Sequence, residues 1–124
     1  MDRAAVMAWV DGYERAWRGQ DRGAVARLFT EDARYLRSPY TDPLVGLDAI
    51  GDFWLVDDGA SFTMRAEPVA VEGLDAVVRV EVEYAEPEHQ EYRDLWILRF
   101  AGNGRVEHFE EWAYWPDRPY TVDG

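Results

Sequence analysis

The stretch VVRVEVEY, Val77 to Tyr84, decides how the second half of this chain is built. Val78, Val80, Val82 and Tyr84 share one face of an extended segment. Val77, Arg79, Glu81 and Glu83 share the other. Successive side chains of a strand point to opposite faces, so a sheet with one dry side buries one set and wets the other. The usual arrangement buries the valines and leaves Arg79 and Glu81 in water. The less usual one puts an arginine and a carboxylate inside a pocket, where they would supply chemistry.

Outward from this stretch, residues 61–71, 90–100 and 105–115 are also strand-like, with short turns at EGLD, EPEH and AGNG. Such spacing predicts an antiparallel meander. Upstream the period changes. Val6, Trp9, Val10, Tyr13 and Trp17 form one apolar helical stripe, with Asp2 placed to cap its start and Gly19 suited to its end. Asp21 is placed to cap a shorter helix that turns Val25, Leu28 and Phe29 inward. ARYLRSP reads as a short strand stopped by Pro39, and YTDPLVG as a loop. Gly46 opens a third helix carrying Leu47, Ile50, Phe53 and Trp54, which VDDGAS ends. Helices segregated from an antiparallel sheet predict an α+β fold with the helices on one sheet face. Residues 1–124 are expected to form one domain with an irregular tail over 116–124.

Composition narrows the function. Hydrophobic residues make up 48% of the 124, enough for a core, and six Trp, seven Tyr and five Phe are a heavy aromatic load. The net charge of −12 argues against nucleic acid or an anionic membrane surface as partner. Absence of cysteine excludes disulfides and thiol catalysis. The charged N-terminal stretch lacks a signal-peptide core, and no run reaches transmembrane length, so a cytoplasmic protein is expected. His89 and His108 stand outside any ligand-spaced cluster, the acidic pairs Asp57-Asp58 and Glu110-Glu111 lack calcium-loop spacing, and AGNG is a hairpin turn rather than a phosphate loop. Neither metal nor cofactor is expected. In simple register the face of Val78, Val80, Val82 and Tyr84 also carries Leu95, Ile97, Trp112 and Tyr114. That is too much apolar surface to leave wet, so a homodimer through the outer sheet face is expected.

GYERAWRGQDRGAVARLFTEDARYLRSPYTDPLVGLDAIGDFW (12–54), followed by YRDLWILRFAGNGRVEHFEEWAYWP (92–116), resembles the NTF2-like superfamily of SnoaL-like proteins over nearly the whole chain. The resemblance implies a cone, in which a strongly curved antiparallel or mixed sheet wraps three N-terminal helices and encloses a pocket open at one end. It implies no single activity, since members include ketosteroid isomerases, polyketide cyclases, dehydratases, limonene-type epoxide hydrolases and non-enzymes. Against the isomerases, Tyr13 matches the helix-1 tyrosine that donates to an oxyanion, but Ser38 stands where the catalytic base would be and Trp96 where the protonated Asp would be. The limonene-type epoxide hydrolases match further. Their Arg-x-Asp falls on Arg79-Val80-Glu81, their second Asp on Glu111, and their water-positioning Tyr and Asn on Tyr35 and Arg37.

That alignment turns Arg79 and Glu81 into the cone and the valines toward a dimer partner. By resemblance Glu111 would activate water, Glu81 would protonate the leaving oxygen, Arg79 would orient both, and Tyr35 would hold the water. Arg37 replaces an amide with a cation able to pair with Glu111. Asp94 shares a face with Trp96 and Leu98, and Glu111 with Phe109 and Ala113, which are pocket-like neighbours. Trp17, Trp54, Trp96 and Phe109, with Tyr13, would line a site for a small apolar or ring-bearing ligand. The expectation is a cofactor-independent enzyme using acid–base chemistry, with epoxide hydrolysis the best-matched reaction. Two alternatives stand beside it: an isomerase, dehydratase or cyclase, and a non-catalytic binding or dimerisation module in which Arg79, Glu81, Asp94 and Glu111 form an ion-pair network that fixes strand register.

Overall fold

The computed structural model describes residues 1–54, 61–86 and 89–116. Helix α1 spans Arg3–Gly19, a short 3-10 turn (Arg22–Ala24) leads into α2 (Val25–Leu28), and α3 spans Leu47–Trp54. The strands are β1 (Phe29–Leu36), β2 (Leu44–Val45), β3 (Ser61–Glu72), β4 (Asp75–Glu86), β5 (Gln90–Phe100) and β6 (Val106–Tyr114). They form one curved, unclosed sheet in the order β2-β1-β6-β5-β4-β3, antiparallel except where β1 runs parallel to β6. The molecule is α+β, as its pattern predicts. The expected ends of the third helix and of the tail, the Asp57-Asp58 pair and the middle of the EPEH turn lie outside the described residues.

The stripe on α1 works as its spacing demands. Val6, Trp9, Val10 and Tyr13 are buried, and the Asp2 carboxylate caps the helix by accepting from the backbone N–H of Ala5 at 2.8 Å. Gln20, just after the helix, takes the left-handed conformation at φ 52°, so the stop falls one residue beyond the expected glycine. Asp21 stands before the 3-10 turn without a side-chain cap and pairs instead with Arg27 at 3.0 Å. β1 starts earlier than ARYLRSP suggests, and the loop before α3 contains the two-residue β2. Gly46, at φ 93°, makes the turn from β2 into α3, a conformation that costs a residue with a Cβ roughly 1–2 kcal/mol.

The core lies between the helices and the inner sheet face. Trp9 meets Phe29 and Phe100 edge-on at 5.7 and 6.0 Å, and its indole N–H donates to the Leu28 carbonyl at 2.9 Å, so its one polar atom is satisfied while the ring stays dry. β4 answers the question of its two faces. Val78, Val80 and Val82 are at most 4% exposed and face the helices. Arg79 and Glu81 lie on the outer face, where Arg79 pairs with Glu67 at 3.0 Å and Glu81 with Arg65 at 2.6 Å, across the β3–β4 ladder. The inward placement of Arg79 and Glu81 is thereby corrected. Burying three β-branched side chains against the helices is favourable, whereas burying Arg79 and Glu81 would strip the water from two charges. The register corrects the grouping of apolar residues as well. Val78 pairs with Trp96 and Val80 with Asp94, so Leu95, Ile97, Trp112 and Tyr114 lie on the outer face opposite the valines. No helix among the described residues is long and apolar enough to cross a membrane.

Candidate active site

Between the helices and the inner sheet face lies a cavity of about 250 Å³. Its buried floor is Tyr13 from α1, Tyr35 from β1, Val82 from β4, and Asp94 and Trp96 from β5. Half-buried side chains complete it: Trp17, Phe53, Tyr84 and Tyr92 at the rim, with Glu111 and Ala113 beside Asp94 and Trp96 on the floor.

Two carboxyl groups meet on that floor because of strand register. Trp96 pairs with Glu111 across β5–β6, and Asp94 pairs with Ala113, so Asp94 and Glu111 are diagonal neighbours on the inner face. Diagonal positions are within reach of long side chains, and the extra methylene of Glu111 closes the gap to a hydrogen bond with Asp94. The indole N–H of Trp96 donates to Oε2 of Glu111 at 3.1 Å. Burial, then the neighbouring negative charge and the hydrogen bond to Glu111, push the Asp94 carboxyl up to about 9. Burial also raises Glu111, but the hydrogen bonds from Asp94 and Trp96 pull it back. Both carboxyls therefore hold a proton more strongly than free carboxyls do, and the two titrate as one coupled pair. Oδ1 of Asp94 is buried and has no hydrogen-bond partner among the described residues.

Beside the pair, the hydroxyls of Tyr13 and Tyr35 share a hydrogen bond of 3.1 Å. Burial is the main reason that both hydroxyls are held well above the usual phenol range, with each other's charge and that of Glu111 adding for Tyr13, and Glu111 adding for Tyr35. Both are neutral donors. Their rings are fixed from behind: Tyr13 stacks on Trp54 at 4.4 Å, and Tyr35 on Phe109 at 4.4 Å and 12°.

Of the residues singled out from sequence, the structure brings Glu111, Asp94, Tyr13, Trp17, Tyr35 and Trp96 to one cavity. Trp54 and Phe109 are fully packed supports behind it. Arg37 is exposed, its guanidinium over the Phe53 ring at 5.3 Å rather than against Glu111. Arg79 and Glu81 are on the far side of the sheet, so the expected arginine between two glutamates does not form. Hydrogen bonding to Arg65, then its charge, holds Glu81 below the usual carboxylate range. Sequence reasoning missed Phe53, Tyr84 and Tyr92 as lining groups. The alternation of Val82 with Tyr84, and of Tyr92 with Asp94 and Trp96, was the available signal once the valines are taken as inward. Among the described residues no cluster of His, Asp and Glu could hold a metal ion.

Residues 10–109 match the model of the SnoaL-like domain family. No curated protein matches the sequence. Solved structures share the fold. An LEH-like epoxide hydrolase from M. tuberculosis is 11% identical, with 90% of this chain and 84% of that one covered at a TM-score of 0.72. A ketosteroid isomerase-like protein from Erwinia carotovora atroseptica is 24% identical, with 92% and 97% covered at 0.65. A computationally designed 17-OHP binder is 15% identical, with 86% and 90% covered at 0.70.

Proposed function

The chain belongs to the SnoaL-like domain family, a fold that hosts several small-molecule chemistries, and on that premise we propose that it is a cofactor-independent acid–base enzyme whose working groups are Asp94 and Glu111. One observation carries the reading: two carboxyl groups, hydrogen-bonded to each other and both raised in proton affinity by burial, line an aromatic cavity. A carboxyl pair that shares a proton can give one proton and take another at one spot, which is what concerted proton transfer needs. The cavity is slightly smaller than the roughly 300–1,000 Å³ of drug-sized sites, so the ligand is a compact apolar or ring-bearing molecule.

Epoxide hydrolysis is the reaction this pair fits best. Glu111 takes a proton from water as the water oxygen attacks one epoxide carbon. The carbon–oxygen bond breaks, and Asp94 gives its proton to the leaving oxygen. The product is a diol. Glu111 then holds the water's proton, and its hydrogen bond to Asp94 returns it, restoring the starting state with no net proton change. Tyr13 and Tyr35 hold the attacking water or the departing oxygen. A panel of small cyclic epoxides in ¹⁸O-labelled water tests this: diol carrying one labelled oxygen is expected. Asp94→Asn and Glu111→Gln should each lower kcat by roughly 10²–10⁴-fold. Turnover undiminished in either variant would end the assignment.

The paired tyrosine hydroxyls support a second reading, isomerisation through an enolate. They are neutral donors placed for a developing oxyanion, with Glu111 as the base. Solvent deuterium incorporated into an unsaturated ketone without added oxygen would favour it. The outer sheet face, with Val77, Leu95, Ile97, Trp112 and Tyr114, supports a homodimer.

A further inference from the structure

The cavity contains the makings of a cation site as well as of an acid–base pair. Among the described residues, seven of the eleven that line it are aromatic, and the only carboxyls are those of Asp94 and Glu111. All thirteen basic side chains of the chain are arginines, and none within the described residues lines the cavity. Among the described residues, no protein cation opposes negative charge on these carboxyls. Asp94 is 6% exposed and lines this space beside Glu111, so a buried carboxyl pair stands among aromatic rings. Aromatic faces attract cations through their quadrupoles, more strongly where water is thin, and a desolvated acceptor gains most from a charged N–H donor.

We propose that this cavity binds small protonated amines carrying a compact apolar ring, the ammonium donating to the carboxyl pair of Asp94 and Glu111 while the ring packs against Trp17, Tyr84 and Tyr92. The binding does not require the reaction proposed above. The groups facing the ammonium are the Tyr13 hydroxyl from α1, that of Tyr35 from β1, Tyr84 from β4, Tyr92 and Asp94 from β5 and Glu111 from β6. An ammonium between the two carboxyls favours their ionised form, and its charge is neutralised there. A neutral ring of the same size gains only apolar burial. An anion meets uncompensated repulsion in a low-dielectric site.

Cyclohexylammonium, cyclohexanol and cyclohexanecarboxylate are matched probes, differing in charge on one ring. Calorimetric titration at pH 7 is expected to give an ammonium Kd at least tenfold below that of the alcohol, with no carboxylate binding. The indole N–H resonance of Trp96 should shift in the ammonium complex. In an Asp94→Asn, Glu111→Gln double variant, ammonium affinity should fall to that of the alcohol, while alcohol affinity is kept. Alcohol binding as tight as ammonium in the wild-type protein would overturn the proposal. So would ammonium preference that survives the double variant, or no ammonium binding. Ammonium preference without epoxide turnover would sink the reaction and leave the site.

Discussion

A carboxyl group that loses its water on folding makes the folded state prefer the proton, and Asp94 is that group here. Its ordinary value is 3.8, and in the folded chain it stands at about 9. Between those values the folded state binds more protons than the unfolded one, so stability falls as pH rises. The contribution is fully present below about pH 3.8 and is lost by about pH 9. Glu111, raised in the same direction, adds to the same slope. This is opposite to the behaviour of an exposed, arginine-paired carboxylate such as Glu81, whose contribution is lost as pH falls. Asp94→Asn removes the titration without removing the volume. Thermal melts from pH 5 to 9 should show the wild-type Tm declining on the alkaline side and a flatter line for the variant. At pH 8 the variant should be the more stable by on the order of 1–3 kcal/mol, the cost of a buried polar group left uncompensated. A variant less stable than wild type at pH 8 would mean that the pair is a structural ion-pair partner and not a destabilised working group.

Strand β4 is where the element scale separates what residues alone reveal from what they do not. Its alternation is legible, and so are the α1 stripe, the four long strands and the turns between them, because each is a local pattern of period 3.6 or 2. Which face is dry is also written in the valines. The similarity of Arg79-x-Glu81 to a catalytic triplet pulls the other way, and burial energy decides the matter: three valines inward outweigh two charged side chains that water and β3 already satisfy. The working pair was half legible. Asp94 and Glu111 stand out singly for their pocket-like neighbours, but their meeting depends on the β5–β6 register, which no local spacing specifies. The β4–β5 register brings Tyr84 and Tyr92 to the rim. A mutation pair tests the face assignment directly. Val80→Ala should destabilise by about 1–3 kcal/mol through a lost core contact, whereas Arg79→Ala and Glu81→Ala should each stay within about 0.5 kcal/mol. Denaturant midpoints measure both. Equal losses at Val80 and Arg79 would contradict the inward valines.

At the scale of the whole molecule, the sheet has one face committed to helices and cavity and another left to the outside. The outer rows run Val77–Ile97–Glu110, Arg79–Leu95–Trp112 and Glu81–Arg93–Tyr114 across β4, β5 and β6. An apolar strip thus lies among charges, with Leu95 36% and Tyr114 40% exposed. A second copy laid on this face by a two-fold axis would cover the strip with itself, which is the economy of an isologous interface. Such an interface needs about 800 Å² from each partner to be stable, and three strands of this length can supply it. Each chain also brings a net charge of −12, so two copies repel over distances that salt screens. Association should therefore strengthen as ionic strength rises, the reverse of a complex held by surface ion pairs. Sedimentation equilibrium at 50 and 500 mM salt measures this, with the larger dimer fraction expected at 500 mM. Leu95→Glu places two further like charges at the centre of the strip and should leave a folded monomer at both salt concentrations. A wild-type protein that stays monomeric at high salt, or a Leu95→Glu protein that dimerises as well as its parent, would remove this face from consideration. The strip would then be ordinary exposed surface, and the cavity on the opposite face would work within a single chain.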